Sequence, residues 1–169
     1  DGHLGLKGTL LNNCGVIHNE YCRNTEALRD STRALQLFEL VYGKAHPHVA
    51  YPLDGLTLVR LHLGELDEAL RTAERSLAVR ESTFDADHPV LVESLILLGM
   101  VQRARGRMVD ALRHGERAVA ISEAKNNVEL AWALGERAET LLAAARPAEA
   151  VADAERALTR LDERWSRGP

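Results

Sequence analysis

Seven histidines are the first reactive side chains to weigh in this 169-residue chain. His46 and His48 flank Pro47, a spacing at which two imidazoles could hold a metal ion. A zinc site needs further Cys or His ligands gathered around it, and the sequence clusters none with this pair. His46 and His88 lie 42 residues apart and each precedes a proline, which fits a repeated structural role. His62 and His114 stand alone on helical stretches and read as packed or solvated. Cys14 and Cys22 would be separated by about 12 Å on one helix, too far for a disulfide, so they read as two reduced thiols. Glu65, Asp67 and Glu68 open a helix, where carboxylates complement its dipole. No Gly-x-Ser-x-Gly elbow, phosphate-binding loop or His-Glu-x-x-His occurs. The expectation is a noncatalytic chain with no metal and no cofactor.

The bulk composition agrees with that reading. Twenty-one Lys+Arg against 25 Asp+Glu give a formal charge of −4, which excludes a generic basic nucleic-acid footprint. Hydrophobic residues make up 46% and aromatic residues only 4%, with Ala and Leu dominant, so helices are favoured over strands. No window approaches about 18 apolar residues, so no membrane span is expected. With Lys7, Lys44 and Lys125 the only lysines, the Arg and Ala bias suggests a high-GC, bacterial gene. The cytoplasm is the expected compartment. The chain begins at Asp1, almost directly in a helix, and reads as an excised domain, a processed chain or a trimmed segment with sequence upstream.

The elements that carry these residues repeat. Ala27, Ala69, Ala111 and Ala150 occupy equivalent places, at steps of 42, 42 and 39. Seven residues on come Ala34, Ser76, Ala118 and Ala157. Gly64 and Gly106 form a further column, replaced by Cys22 and Ala145 in the outer units. Another holds Gly15, Thr57, Gly99 and Ala138. Leucines at spacings of three and seven mark helical faces. The glycines suit left-handed caps, and Pro47, Pro89 and Pro147 suit helix starts. Pro52 falls early in a helix, where it would shift the start or kink it. The pattern predicts eight helices, at about 4–21, 24–42, 48–63, 66–82, 89–105, 108–125, 128–144 and 147–165.

Leu11-Asn12-Asn13-Cys14-Gly15, His46-Pro47-His48-Val49-Ala50 and Arg75-Ser76-Leu77-Ala78-Val79-Arg80 resemble the tetratricopeptide repeat. The 42-residue period resembles the longer variety found in kinesin light chains and many bacterial proteins. The resemblance implies an all-α fold: a right-handed superhelical solenoid of antiparallel helix pairs. It implies one domain of four repeats, at about 4–45, 46–87, 88–126 and 127–165. In the last repeat Asn126-Asn127 replaces the His-Pro linker. His18, Arg60 and Gln102 stand where an aromatic residue is usual near the end of a leading helix.

Leading helices line the concave groove of such solenoids, and the resemblance puts binding there. The corresponding residues are Asn12, Asn13 and Asn19; Tyr51, Asp54, Leu58 and His62; Ile96, Leu97, Met100 and Arg103; Trp132, Glu136 and Glu139. Tyr51, Leu58, Ile96, Met100 and Trp132 would form an apolar strip, and the asparagines suit a peptide backbone. A clamp of basic residues for a terminal carboxylate, as in chaperone-tail binders, is missing. Arg103 alone is basic against Asp54, Glu93, Glu136 and Glu139, which favours a basic or neutral peptide. The expected function is a protein-interaction module holding a partner segment, within a larger bacterial regulatory protein such as a serine/threonine kinase. The alternative is a peptide-sensing switch whose curvature changes on binding. Leu158, Leu161 and Trp165 form a stripe on the last helix. It either packs inward or docks another domain of the same chain or a second copy, giving a homo-oligomer.

Overall fold

The computed structural model describes residues 2–166, with side chains through residue 163. Trp165 therefore lies outside the described side chains. Among the described residues there are eight α-helices and no strand. They form two compact units, Asp1–Asp85 and Ala86–Pro169. The first unit contains α1 (Gly2–Glu20), α2 (Asn24–Tyr42), α3 (Ala50–Leu63) and α4 (Leu66–Glu81). The second contains α5 (Val92–Ala104), α6 (Met108–Lys125), α7 (Leu130–Ala143) and α8 (Pro147–Ser166). Short connections make each pair an antiparallel hairpin.

One device closes the first helix of every pair. Cys22, Gly64, Gly106 and Ala145 take φ of 56°, 74°, 74° and 57°. In each case two reversed hydrogen bonds accompany the left-handed residue. In the first hairpin Arg23 N–H donates to His18 O at 2.8 Å and Cys22 N–H to Asn19 O at 3.1 Å. In the last, Arg146 N–H donates to Leu141 O at 2.9 Å and Ala145 N–H to Leu142 O at 3.0 Å. This is the Schellman arrangement, which pairs otherwise orphaned carbonyls. The glycine column is thus a column of backbone geometry, which Cys22 and Ala145 adopt against their steric preference.

The second device is the His-Pro linker. His46 Nδ1 accepts from His48 N–H, and His88 Nδ1 accepts from Val90 N–H, both at 3.2 Å. Each imidazole caps a single 3-10 turn, Pro47–Val49 or Pro89–Leu91. These turns are why α3 and α5 begin at Ala50 and Val92, two and three residues later than the pattern predicts. Pro52 is the third residue of an unbroken α3, in the first turn, where a missing N–H costs little. The proline thus neither kinks nor displaces the helix.

The small columns set how closely helices approach. Ala27, Ala69, Ala111 and Ala150 are buried. A Cβ on Gly15 would stand 2.4 Å from Ser31 Oγ, and one on Gly99 would stand 3.4 Å from Ala111 O. Thr57, in the same column, is buried and donates to Leu53 O at 2.9 Å. In the first unit Phe38 packs with Val49 and Leu53, and Leu35 lies against them. In the second, Ala138, Leu141 and Ala150 pack together under Leu112. Where an aromatic residue is usual, polar residues reach the trailing helix instead. His18 Nδ1 lies 3.1 Å from Asp30 Oδ2, and Arg60 Nη1 lies 3.6 Å from Glu68 Oε2.

Candidate functional site

The candidate residues lie on the leading helices, which pack in pairs within each unit: α1 with α3, and α5 with α7. In the first unit the pairing joins two of them directly. His62 Nδ1 donates to Asn19 Oδ1 at 2.9 Å across α1 and α3. Asn13, Tyr51 and His62 are exposed, and Leu58 is half-buried. Asn12 is half-buried too. Its Oδ1 is inaccessible to solvent, has no hydrogen-bond partner among the described residues, and lies 3.6 Å from where a Gly55 Cβ would be.

Asp54 belongs elsewhere. It is buried, with Oδ2 2.7 Å from Arg80 Nη2 and Oδ1 accepting from Ser76 Oγ at 2.5 Å. Arg80 Nη1 also donates to Ser76 Oγ at 2.8 Å. Burial pushes the Asp54 carboxyl up, while the Arg80 guanidinium and then the Ser76 hydroxyl pull it down. Asp54 is therefore the acidic half of an internal ion pair and presents no charge to a ligand, because a buried carboxylate must take an internal partner. Arg80 was not among the sequence candidates, yet its guanidinium carbon sits 5.8 Å from the centroid of the Tyr51 ring. The signal was present: Arg80 interrupts a column otherwise holding Phe38, Ser122 and Leu161.

Tyr51 also borders a chain of rings. Its centroid is 6.0 Å from that of His48, which meets His46 at 4.8 Å and Tyr42 at 5.0 Å. The two linker histidines are thus occupied in ring packing and in capping the turn. Among the described residues no group of three or more His, Cys, Asp or Glu is placed to hold a metal ion.

In the second unit Arg103 ties α5 to α7. Its Nη2 lies 3.2 Å from Glu136 Oε2 and 2.7 Å from Glu139 Oε2. Its Nη1 donates to Glu136 O at 3.1 Å. Trp132 is exposed, and its indole N–H helps to lower the Glu136 carboxyl. Burial pushes the Glu136 carboxyl up, Arg103 pulls it down, and the neighbouring Glu139 pushes it up again. Two carboxylates share one guanidinium, so the cluster is acidic on balance. Met100 is half-buried, whereas Ile96 and Leu97 are buried and add nothing to an exposed strip. Their column places them among helix contacts, where apolar burial stabilises the fold.

Each unit also has a cleft. One of about 440 Å³ is lined by Glu39, Lys44, Arg75 and Val79, among others, and the Arg75–Glu39 ion pair at 2.5 Å crosses it. One of about 280 Å³ contains the two-pronged Arg137–Asp153 pair, at 2.6 and 2.7 Å. Neither contains a residue of the candidate groove. At the far end, Leu158 and Leu161 of α8 are exposed, so this part of the stripe does not pack inward.

The tetratricopeptide repeat family model matches residues 7–82 and 53–124. No curated protein matches by sequence. Among solved structures, the TPR-like repeats of a Podosopora anserina protein named for kinesin light chain share 18% identity and a TM-score of 0.76, over 92% of this chain and 75% of that one. BtubC from P. vanneervenii shares 16% identity and a TM-score of 0.76, over 96% of this chain and 65% of its own. The apo form of RapI shares 14% identity and a TM-score of 0.77, over 95% of this chain and 57% of its own. At such identities the likeness is one of fold. Repeated hairpins, small-residue columns and the matching family model converge: the chain belongs to the tetratricopeptide repeat family, whose fold serves as a module for protein–protein interaction.

Proposed function

We propose that this chain is a noncatalytic module that holds a neutral or basic segment of a partner protein against its leading helices. Its setting, on this reading, is a larger bacterial regulatory protein of the cytoplasm, such as a serine/threonine kinase. The observation that carries the reading is the Arg103 cluster. Its one cation is matched by Glu136 and Glu139, and the exposed Trp132 ring stands beside it, so an anchor for an apolar side chain adjoins an acidic surface. Aromatic anchors next to charge are the usual centres of binding energy. Tyr51, over Arg80, is the counterpart in the first unit.

A peptide array probed with the purified chain should retain neutral and basic segments; preferential retention of acidic ones would overturn the charge argument. For a retained peptide, Tyr51→Ala combined with Trp132→Ala should weaken binding by about 2–4 kcal/mol, with the helical circular dichroism unchanged. Loss of helicity would assign both rings to the core. The peptide-sensing switch is a separate reading: a peptide-induced change in the small-angle scattering profile would favour it, and an unchanged profile would favour the docking module.

A further inference from the structure

In the second unit, the cleft where α6, α7 and α8 meet departs from the repeat at two matched places. Arg137 stands in a column that holds Cys14, Leu56 and Leu98, and the two leucines are buried. Gly115 stands in a column that otherwise holds Ser31, Ala73 and Ala154. The two changes touch: a Cβ on Gly115 would stand 3.3 Å from Arg137 Cγ. The glycine makes room for the stem of an arginine that replaces a buried leucine, and a cleft of about 280 Å³ lies beside it.

Three carboxylates and two guanidiniums line this cleft. Each guanidinium is engaged along one edge by one carboxylate. Arg137 Nε and Nη2 donate to the buried Asp153 at 2.6 and 2.7 Å. Arg146 Nε and Nη2 donate to Glu149 at 2.7 and 2.6 Å. Two-pronged pairing of this kind is the strongest a guanidinium makes. Glu116 is left over. It is exposed, and it makes no hydrogen bond or ion pair among the described residues. Its charge reaches both guanidiniums, after the carboxylate that each already holds.

The floor is apolar. Leu112 and Ala152 line it with Leu141, which belongs to the small core of this unit. The volume falls just below the range of about 300–1,000 Å³ typical of small-molecule pockets, a scale that suits one long side chain. Lysine and arginine join a hydrocarbon stem to a cationic head. Such a side chain would lay its stem on the leucines and bring its head to Glu116. An acidic side chain would meet the uncompensated carboxylate, and an aliphatic one would strip water from it without replacing the lost hydrogen bonds.

We infer that this cleft receives a lysine or arginine side chain of a partner protein, with Glu116 as its counter-charge. The site is built on the trailing helices, and it stands independently of any segment held against the leading ones.

Titration of the isotope-labelled chain with Nα-acetylarginine amide and with Nα-acetyllysine amide, followed by nuclear magnetic resonance, tests this. Saturable shifts should centre on the backbone amides of Gly115, Glu116 and Ala152. The citrulline amide, which keeps the shape of arginine without its charge, should bind about tenfold more weakly. Glu116→Gln alters an exposed side chain, so it should keep the helical circular dichroism and melting curve while weakening both cationic probes by a similar factor. Glu155 holds the same place in the next repeat and lies outside the cleft, so Glu155→Gln should bind as wild type does. No saturable shift in the cleft with either cationic probe overturns the inference. So does equal binding of citrulline, or full binding by Glu116→Gln. Shifts spread evenly over exposed carboxylates elsewhere also overturn it, because they would show charge attraction without a site.

Discussion

The two units fill the same three places of the repeat with different chemistry. In the first, Asp54, Ser76 and Arg80 form a buried ion pair bridged by a hydroxyl. In the second, the equivalents are Ile96, Ala118 and Ser122, buried as deeply and carrying no charge. The Ser122 hydroxyl is buried with no hydrogen-bond partner among the described residues. The repeat thus dictates backbone path and burial, and it leaves open how a buried place is satisfied. A charged solution has to be complete, because half of it is worse than none. It also has a use: Arg80 lies over Tyr51, so in the first unit the buried pair positions an exposed ring.

Breaking that pair is the strongest test of the comparison. Arg80→Met alone should destabilise the chain by about 3–5 kcal/mol, because Asp54 is left buried and uncompensated. Replacing all three residues, as Asp54→Ile, Ser76→Ala and Arg80→Met, should return stability to near or above wild type in a urea melt. A triple variant as weak as the single one would mean that the first unit cannot accept the apolar solution of the second.

Acid titration should separate two carboxyls, one in each unit, by sign. The hydrogen bond from Arg29, helped by the charges of Arg29 and His18, holds the Asp30 carboxyl below its ordinary range, against burial. Its contribution is present above the unfolded value and is lost as pH falls through the folded one. Asp30→Asn should therefore cost stability near neutrality, and the deficit should vanish in acid. Glu136 is raised, chiefly by burial, so ionisation works against the fold as pH rises. Glu136→Gln should be neutral or stabilising near neutrality, with any gain disappearing below the unfolded carboxyl range. Parallel pH profiles for the two variants would contradict the opposed signs.

The smallest effects concern the caps. Cys22→Gly and Ala145→Gly should each stabilise by about 1 kcal/mol, because a β-carbon is disfavoured in the left-handed conformation. Gly64→Ala and Gly106→Ala should lose a similar amount. Equal melting temperatures across the four variants would show that neighbouring contacts, and not φ, set the cost.

Much of the helix layout was legible from the sequence, because each boundary depends on residues close in the chain. The columns of small residues located the hairpins, and the glycine column located the caps even where Cys22 and Ala145 replaced glycine. The starts of α3 and α5 were not legible to the residue. A histidine cap that tightens the linker into a 3-10 turn depends on ring orientation. The site was less legible than the fold. Asp54 and Ile96 fall on the same side of their helices as Tyr51 and Trp132, and periodicity cannot tell a ligand-facing position from a helix-facing one at its edge.

By itself the sequence determined the period, the helices and their caps, all of which follow from local backbone preference and the spacing of apolar side chains. Tertiary structure alone decided which polar residues meet. Asp54 finds Arg80, Arg103 finds Glu136 and Glu139, and Asn19 finds His62. These partners are 26, 33, 36 and 43 residues apart in the chain. Their encounter depends on how far each side chain reaches across packed helices and on how much water the packing removes.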